Sequence, residues 1–307
     1  MSDTILEIKS VSHNFGPTRV LHNLDLEIKA GEIVGVVGPS GCGKSTLLRG
    51  IVGTHPPAHG TIRVKGRDGE MKAISKPSRD IGIVYQHYSL FPFQTALKNV
   101  MMGPMLDETS IWGRYLMPWI WHGKKGAVRR EAVEILERLG LGEALHRYPP
   151  QMSGGMQQRT AIAQAIIMKP RILLLDEPFG ALDEATRERQ QKMLLEFSIE
   201  NRKAKAEGRE PPYTVLIVTH ELNEAIYVGD RVIGLSQYWD WQAAGHQQCP
   251  GATIVYNKPC PTFDPNDPKD YADFVDQKDE IIDTVFEPDI RKVHEDLAEI
   301  GKERAAV

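Results

Sequence analysis

Four short stretches of the chain are almost uninterrupted by polar residues. They are Ile33–Val37, Ile172–Leu175, Val215–Thr219 and Arg231–Leu235. Strands of a parallel sheet lose the alternation of apolar and polar residues, because helices cover both faces of such a sheet. The four stretches therefore predict the central strands of a parallel sheet in an α/β fold.

Three further stretches are predicted as strands of an antiparallel layer: Ile5–Ile8, Thr61–Val64 and Ile81–Tyr85. Antiparallel strands commonly keep one face in contact with solvent, and their composition is accordingly more mixed. The chain is therefore expected to contain two kinds of sheet.

Helical periodicity occupies the middle of the chain. Arg130–Leu139 places its apolar residues on one helical face and is followed by Gly140, which is typical of a helix end. A second helix is predicted from about Gly155 to Met168, before Pro170. Because strands precede and follow this region, we expect a helical subdomain at about residues 99–168, inserted into the α/β fold.

The composition is ordinary for a globular protein, with 41% hydrophobic and 25% charged residues. A net charge of -4 argues against a nucleic-acid partner, since nucleic-acid-binding domains usually carry a basic face. Residues 237–307 hold 15 Asp and Glu against 7 Lys and Arg, so the end of the chain is acidic. No stretch approaches the roughly 20 apolar residues of a membrane-spanning helix.

Three cysteines, Cys42, Cys249 and Cys260, are too few for a disulfide framework and suit a reducing compartment. No signal peptide is predicted, because no basic segment followed by an apolar core opens the sequence. His246 and Cys249, with Cys260, have an irregular spacing and no evident fourth ligand. A loop without metal is the favoured interpretation, and a metal site is the alternative.

A glycine-rich segment follows the predicted strand Ile33–Val37 and precedes the helical run Leu47–Val52. It consists of Gly38, Pro39, Ser40, Gly41, Cys42, Gly43, Lys44, Ser45 and Thr46. This order of strand, loop and helix is the context in which G-x-x-x-x-G-K-[ST] binds phosphate groups. Backbone N–H groups surround the β-phosphate, Lys44 reaches the β- and γ-phosphates, and Ser45 supplies a hydroxyl to Mg²⁺. The segment predicts nucleotide binding, and a chance glycine-rich turn is disfavoured by its flanks.

Two adjacent carboxylates end the apolar strand Ile172–Leu175. Asp176 is predicted to hold the hydrated Mg²⁺, as the equivalent acid does in other P-loop NTPases. Glu177 points differently because it is the next residue, and we expect it to polarise the attacking water. The alternative is a helix-capping acid, with Pro178 setting the turn. The presence of Lys44 and Ser45 in the same chain favours the catalytic interpretation.

Residues 152–159 have the sequence Met-Ser-Gly-Gly-Met-Gln-Gln-Arg. This segment resembles the signature of ABC ATPases, and the order of motifs from Leu6 to Leu235 is similar to that of the family. The resemblance implies a P-loop NTPase fold with a parallel core sheet, an antiparallel β subdomain and an inserted α-helical subdomain. It also implies hydrolysis of ATP with Mg²⁺. The signature departs from the common pattern at Met156, and Glu221 stands where many relatives have Asp.

The resemblance implies roles for three residues around the nucleotide. Phe15 is expected to stack on adenine. Gln86 is expected to meet Mg²⁺ and water and to sense a membrane partner, and His220 to contact the γ-phosphate. Each residue alone has a plainer interpretation: Phe15 as a core residue, Gln86 as a solvated loop amide, and His220 as a structural histidine.

The resemblance further implies a head-to-tail dimer of two copies of the chain. Ser153, Gly154 and Gly155 are expected to bind the γ-phosphate held by the opposite subunit, since a helix start offers free N–H donors to an anion. Asp183, in the segment Gly180-Ala-Leu-Asp183, is expected at the dimer interface. With one copy of each motif, a single chain is predicted to be unable to complete its own site.

By this resemblance, residues 1–236 form an ABC ATPase domain and residues 237–307 an acidic extension of unknown role. The chain is expected to be the ATP-hydrolysing subunit of an importer, bound to transmembrane permease subunits at the cytoplasmic face of the inner membrane. Met156, Asp176–Asp183 and His146–Pro149 resemble nitrate, sulfonate and taurine-type importer ATPases. A periplasmic or surface solute-binding protein is expected in the same system.

Other functions remain open from the residues alone. The chain could serve another ABC importer or an exporter, or be a non-transport ABC ATPase. Non-transport members usually carry a long coiled-coil insertion or tandem cassettes, and neither is visible. A P-loop kinase or GTPase would lack the Ser-Gly-Gly segment.

Two aromatic segments have two interpretations each. Phe91 and Phe93 follow Gln86 where the family docks a permease, and they are either interface anchors or core residues of the helical subdomain. The Trp-rich segment Ile111–Trp121 either lies against permease or membrane surface or caps the helical subdomain.

Overall fold

The structure, a computed structural model, describes residues 3–87, 89–107, 118–180, 183–265 and 274–286. For residues 118–124 it describes the backbone alone. Residues 108–117, which hold most of the Trp-rich segment, lie outside the described residues, as do Ala181, Leu182 and residues 287–307 of the acidic extension.

Ten strands and seven helices are named here in chain order. They are β1 (Thr4–Phe15), β2 (Thr18–Lys29), β3 (Ile33–Val37), α1 (Lys44–Val52), β4 (His59–Lys65), β5 (Met71–Ala73), β6 (Ile81–Val84), α2 (Ala96–Asp107), α3 (Pro118–Arg138), α4 (Gly154–Ile166), β7 (Ile172–Asp176), α5 (Glu184–Ala206), β8 (Val215–Val218), α6 (Leu222–Val228), β9 (Arg231–Ser236), β10 (Thr253–Pro259) and α7 (Val275–Val285).

A six-stranded sheet with the order β10-β9-β3-β8-β7-β6 forms the centre of the molecule. Its strands run parallel except for β10, which pairs antiparallel with β9. In β3, Ile33 and Val37 face one hydrophobic core while Val34 and Val36 face another. Both faces are therefore buried, which explains the unbroken apolar runs and confirms the four predicted central strands.

A second sheet, antiparallel with the order β2-β1-β4-β5, packs over one face of the parallel sheet. It contains the predicted strands Ile5–Ile8 and Thr61–Val64. The placement of Ile81–Tyr85 in this layer is wrong, because β6 pairs parallel with β7 at the edge of the central sheet. An edge strand is only partly covered, and its mixed burial resembles that of an antiparallel strand.

Helices α2, α3 and α4 lie between β6 and β7 in the chain and contact one another. Ala132, Leu136 and Leu139 are buried in their common core. As predicted, α3 ends before Gly140, which has a φ of 68° that suits a glycine after a helix. Within the described residues, no helix combines the length and the apolar character needed to cross a membrane.

Part of the segment after residue 236 completes the central sheet. Strand β10 forms its edge, and α7 packs beside β9 with Ile281 and Val285 fully buried. Gly234 permits this contact, since a Cβ there would lie 2.2 Å from Val285 Cγ2. The division of the chain at residue 236 remains a prediction, and the structure adds that the extension contributes a strand and a buried helix face.

The cysteines of this segment lie apart. Cys249 precedes β10 and its thiol faces the carbonyls of Gln237 and Gly251, whereas Cys260 follows the far end of the strand. Within the described ranges no three His, Cys, Asp or Glu residues are grouped so as to hold a metal ion. The interpretation of this segment as a loop without metal stays a prediction.

Candidate functional site

The loop between β3 and α1 surrounds the side chain of Lys44. The ammonium group donates hydrogen bonds to the carbonyl oxygens of Gly38 at 2.6 Å and Pro39 at 3.0 Å, and the residue is only 9% exposed. Gly43 precedes the helix with φ 100°, and a Cβ there would lie 2.7 Å from Leu21 Cδ2. Glycine is therefore needed for both backbone conformation and space. The loop places one positive charge at the N-terminus of α1.

Glu177 lies at the centre of a polar cluster. Gln86 Nε2 donates to Glu177 Oε2 at 3.1 Å, and His220 Nδ1 lies 3.3 Å from Glu177 Oε1. His220 Nε2 lies 3.5 Å from Glu221 Oε1. These residues follow three neighbouring strands of the sheet, β6, β7 and β8, whose carboxyl ends meet at one edge. The fold thus joins residues that are far apart in the chain.

The backbone of Glu177 has a φ of 46°, in the left-handed region that residues other than glycine rarely adopt. Such a conformation costs about 1–3 kcal/mol and is held by its surroundings. Here Glu177 N donates to Val218 O at 2.8 Å.

Burial raises the pKa of the Asp176 carboxyl, and the negative charge of Glu177 raises it further. Arg49 and Lys44 act in the opposite direction without cancelling the rise in pKa. A partly buried carboxylate beside another carboxylate is therefore short of positive charge, a deficit that a bound cation relieves.

A cavity of about 580 Å³ opens between the loop and this cluster. It is lined by Val20, Ser40, Gly41, Gly43, Lys44, Ser45, Thr46, Glu177 and His220. The volume and the ring of N–H, hydroxyl and ammonium donors fit a polyphosphate chain. Ser45, Asp176 and Gln86 offer the oxygen ligands that Mg²⁺ prefers, and the ion would complete its coordination with phosphate oxygens and water. The donor set therefore fits magnesium bound together with a nucleotide.

The predicted residues of the dimer interface do not line this cavity. Ser153 caps α4, its hydroxyl accepting from Met156 N at 3.3 Å, and Ser153 and Gly154 are exposed. Gly155 is buried against Thr186, whose Cγ2 would lie 2.0 Å from an added Cβ. Asp183 caps α5 by accepting from Thr186 N, and hydrogen bonds from the side chain and the backbone of Thr186 lower the pKa of the Asp183 carboxyl. Ser153, Gly154 and Asp183 are thus exposed outside the cavity lining, and Gly155 is buried.

Phe15 also lies outside the cavity lining. Its ring is 43% exposed and meets the ring of His13 edge-on at a centroid distance of 4.7 Å. His55 lies next to it at 6.0 Å. Phe15 belongs to neither hydrophobic core, so the plainer interpretation as a core residue does not describe it. An exposed aromatic face remains available for stacking.

Sequence reasoning missed three residues that the structure brings to the site. Val20, from β2, lines the cavity, and Arg49, one turn into α1, acts on Asp176. Gln158 of α4 donates to the carbonyl of Pro178, next to Glu177. No local motif identifies Val20 or Arg49, and the signature segment contains Gln158 without indicating its partner, since each contact joins distant segments. The predicted helical run Leu47–Val52 contains Arg49 but does not show that this residue lies near Asp176.

The profile of the ABC transporter family matches residues 21–180, which include the phosphate loop, the signature segment and the Asp176–Glu177 pair. This chain belongs to the ABC transporter family. As a member of the family's ATP-binding subunits it is an ABC ATPase, and its fold is the one that the sequence predicted.

Individual ABC proteins support this assignment. The glutamine transport ATP-binding protein GlnQ of Escherichia coli (strain K12) is 39% identical over 231 residues, covering 75% of this chain and 86% of GlnQ. The bicarbonate transport ATP-binding protein CmpD of Synechococcus elongatus is 38% identical over 235 residues, 75% of each protein. Both relatives are named as transport ATP-binding proteins, so the ABC ATPase assignment does not depend on one substrate.

Solved ABC structures share the fold. A dimeric ATP-binding cassette in a post-hydrolysis state, bound to ADP and Pi, matches with a TM-score of 0.61 and 28% identity over 84% of this chain and all of that chain. The cassette cbiO1 from Clostridium perfringens matches in fold with a TM-score of 0.63 and 23% identity over 99% of this chain and all of its own.

Proposed function

We propose that this ABC ATPase hydrolyses MgATP in the cavity between the Lys44 loop and Glu177. The observation that carries the proposal is the cluster of Gln86, Glu177 and His220, which the sheet assembles beside the phosphate loop. Phosphoryl transfer needs mainly positioning and electrostatic stabilisation, and this cluster supplies both around one carboxylate.

Each residue has a defined task in this proposal. Lys44 exchanges its bonds to the loop carbonyls for β- and γ-phosphate oxygens, which carry more negative charge. Glu177 accepts the proton of the attacking water, while Gln86 and His220 hold the carboxylate on either side. Ser45, Asp176 and Gln86 would hold Mg²⁺, which neutralises charge on the phosphates. Phe15 offers its exposed ring to adenine.

We further propose that two copies of the chain enclose two ATP molecules. Ser153 and Gly154 are exposed at the start of α4 and lie outside the lining of their own cavity. Free N–H groups at a helix start bind anions, and the γ-phosphate of the partner copy is the anion at hand. Two of the structural matches are dimeric cassettes, which supports a dimer of this chain.

Permease subunits are the proposed membrane partner, and the complex then lies at the cytoplasmic face of the inner membrane. Phe91 and Phe93 are exposed, Phe93 by 68%, so they are not core residues of the helical subdomain. The buried Asn99 holds this segment rigid through hydrogen bonds to Phe91, Gln94 and Thr95. A rigid, exposed aromatic pair is suited to anchor a helix from another protein.

Uptake of a small solute such as nitrate, a sulfonate or taurine, delivered by a periplasmic or surface binding protein, is the proposed role. Relatives are named for transport of bicarbonate and of glutamine and for import of sulfate or thiosulfate, so the cargo varies among them. The residues from Asp176 to Asp183, with Met156, carry the resemblance to the nitrate, sulfonate and taurine type.

Release of phosphate from ATP by the purified protein tests the enzymatic proposal. Glu177→Gln removes the base and is expected to lower kcat by a factor of about 10²–10⁴ while ATP still binds. Lys44→Ala is expected to abolish ATP binding. Lys125→Ala serves as a control, since Lys125 is exposed and lies outside the cavity lining. Unchanged hydrolysis by Glu177→Gln would remove Glu177 from the catalytic role.

Sedimentation of Glu177→Gln with and without ATP tests the dimer. Slow hydrolysis should trap the closed pair, so the mass is expected to double in ATP and to return when ATP is removed. Ser153→Arg places a large cation in the predicted interface and should prevent the doubling. A Glu177→Gln protein that stays monomeric in saturating ATP contradicts the arrangement.

Uptake by cells that express the chain with its permease tests the cargo. Nitrate, taurine and an alkanesulfonate are compared with bicarbonate, glutamine and sulfate, using Lys44→Ala as the inactive control. Lys44-dependent uptake restricted to the second group would refute the nitrate, sulfonate and taurine proposal and leave the ATPase unaffected.

A further inference from the structure

One buried side chain joins the three segments that carry the ABC motifs. Gln158 lies on α4, five residues after Ser153, and is only 3% exposed. Its Nε2 donates to the carbonyl oxygen of Pro178, and its Oε1 accepts from Gln190 Nε2 at 2.9 Å. Gln190 is itself buried on α5, the helix that Asp183 caps. Gln158 therefore connects the signature helix with both the Glu177 turn and α5.

The bond to Pro178 acts where the backbone is strained. Glu177 has the left-handed φ of 46°, and the residue after it has no N–H group with which to hold the turn. The turn is held by Glu177 N donating to Val218 O, by Gly180 N donating to Glu177 O, and by Gln158 donating to the carbonyl of Pro178. Gln158, the donor to Pro178, lies on a helix, and a helix is a rigid support for a side chain. The position of the Glu177 carboxylate between Gln86 and His220 depends on this turn.

The start of α4, Ser153–Gly155, is called the signature tip here. It packs closely against α5, to which Gln158 also bonds through Gln190. Gly155 is buried against Thr186 near the start of α5, with no room for a Cβ. The tip and Gln158 belong to one helix, less than two turns apart, so they move together. If Ser153 and Gly154 move when they bind a phosphate, Gln158 moves with them. Its hydrogen bond would then move the carbonyl of Pro178 as well.

We propose that Gln158 is a positioning residue that couples the tip of α4 to the placement of the Glu177 carboxylate. The proposal rests on the function proposed above, in which Glu177 is the base and the tip meets the partner's ATP. The coupling links hydrolysis to dimer closure, since one helix carries both the residues that meet the partner's phosphate and the donor to Pro178. Gln158 touches neither ATP nor the attacking water, and it acts through Glu177.

The test is steady-state ATP hydrolysis by Gln158→Met, which keeps the length of the side chain and removes the donor to Pro178. We expect kcat to fall at least about tenfold with KM for ATP within about twofold of wild type, because positioning of the base is lost while the phosphate loop is intact. Gln164→Met, the same substitution further along α4, is the matched control. It should leave both constants unchanged.

A double-mutant cycle with Glu177→Gln separates positioning from general damage. If Gln158 acts through Glu177, adding Gln158→Met to Glu177→Gln lowers the residual rate by less than about twofold. Equal losses in both backgrounds, or kcat of the single variant within about twofold of wild type, would overturn the proposal. Gln158→Leu, which also removes the donor to Pro178, is put through the same cycle in case Gln158→Met does not fold.

The proposed function and the coupling through Gln158 can be refuted separately. A wild-type protein that hydrolyses ATP and loses its rate on Glu177→Gln supports the proposed function whatever Gln158 does. Loss of rate in Gln158→Met that is independent of Glu177 removes only the coupling. Full activity of Glu177→Gln removes both.

Discussion

Replacing Gly155 by Ala is expected to force α4 and α5 apart. The new Cβ would lie 2.0 Å from Thr186 Cγ2, and both residues are buried. Because carbon atoms pack at about 3.5–4.0 Å, the two groups must separate by at least about 1.5 Å. Overpacking of this kind costs about 1–3 kcal/mol, and the higher helix propensity of Ala offsets up to about 1 kcal/mol. We expect a net loss of about 1–2 kcal/mol in the free energy of unfolding.

The structure also indicates a second substitution that should recover the lost stability. Thr186→Ser removes the Cγ2 methyl alone and keeps the hydroxyl. On its own it should cost about 0.8 kcal/mol, the value of one buried methylene-sized group. In the double variant the methyl introduced by Gly155→Ala replaces the methyl lost from Thr186, so the total volume is conserved. A coupling energy of at least about 1 kcal/mol is expected from the double-mutant cycle.

Urea unfolding measures the stabilities, and ATP hydrolysis is followed in parallel. The added methyl points at Thr186 of the same chain, and we therefore expect hydrolysis to return with stability in the double variant. Thr160→Ser removes a methyl from a fully buried threonine on α4 and serves as a control that should not rescue Gly155→Ala. The reasoning is refuted if Gly155→Ala costs less than about 0.5 kcal/mol, or if both serine variants rescue it equally.

Three further predictions concern other parts of the molecule. Gly234→Ala should lower the unfolding free energy by about 1–3 kcal/mol, with partial rescue by Val285→Ala, because Tyr256 also obstructs the new Cβ. Asn99→Leu should release the segment that presents Phe93 and lower capture of the permease in a pull-down, while basal ATP hydrolysis continues. Burial raises the pKa of the Cys260 thiol to about 12, so the stability that the neutral thiol provides is complete below pH 9 and is lost from pH 9 towards about 12. Cys260→Ala should reduce the slope of stability against pH over that range.

Each of these predictions has an opposing result. Full rescue of Gly234→Ala by Val285→Ala would mean that Tyr256 does not constrain the site. Undiminished capture by Asn99→Leu, with Phe93→Ser as the positive control, would show that the rigidity of the segment is unimportant. An unaltered alkaline slope in Cys260→Ala would place the titration elsewhere.

The phosphate loop could be predicted from the sequence because all of its parts are neighbours in the chain. Strand, glycine-rich loop and helix are contiguous from Ile33 to Val52, so the order of residues already specifies their geometry. The same holds for Asp176 and Glu177 at the end of a buried strand. The apolar runs also predicted both layers of the fold. Strands buried on two faces are apolar throughout, whereas strands with one face in solvent have a more mixed composition.

Pairing between distant segments was not readable in this way. Ile81–Tyr85 was assigned to the wrong sheet, since an edge strand shows the same pattern beside either partner. No local pattern in the acidic extension indicates that β10 becomes the edge strand of the central sheet. The close approach of Gly234 and Val285, which joins β9 to α7, is equally invisible in the sequence. Gln158 illustrates the same point at the site, because its partners Pro178 and Gln190 lie 20 and 32 residues away.

The sequence by itself determined which chemical groups this ABC ATPase possesses and the kind of element that carries each of them. Those properties depend on neighbours in the chain, through periodicity, turn-forming residues and helix starts. Only the tertiary structure decided which groups meet: Glu177 with Gln86 and His220, Gln158 with Pro178, and α7 with β9. Such contacts depend on strand order and on close packing between segments, and no short stretch of sequence encodes either property.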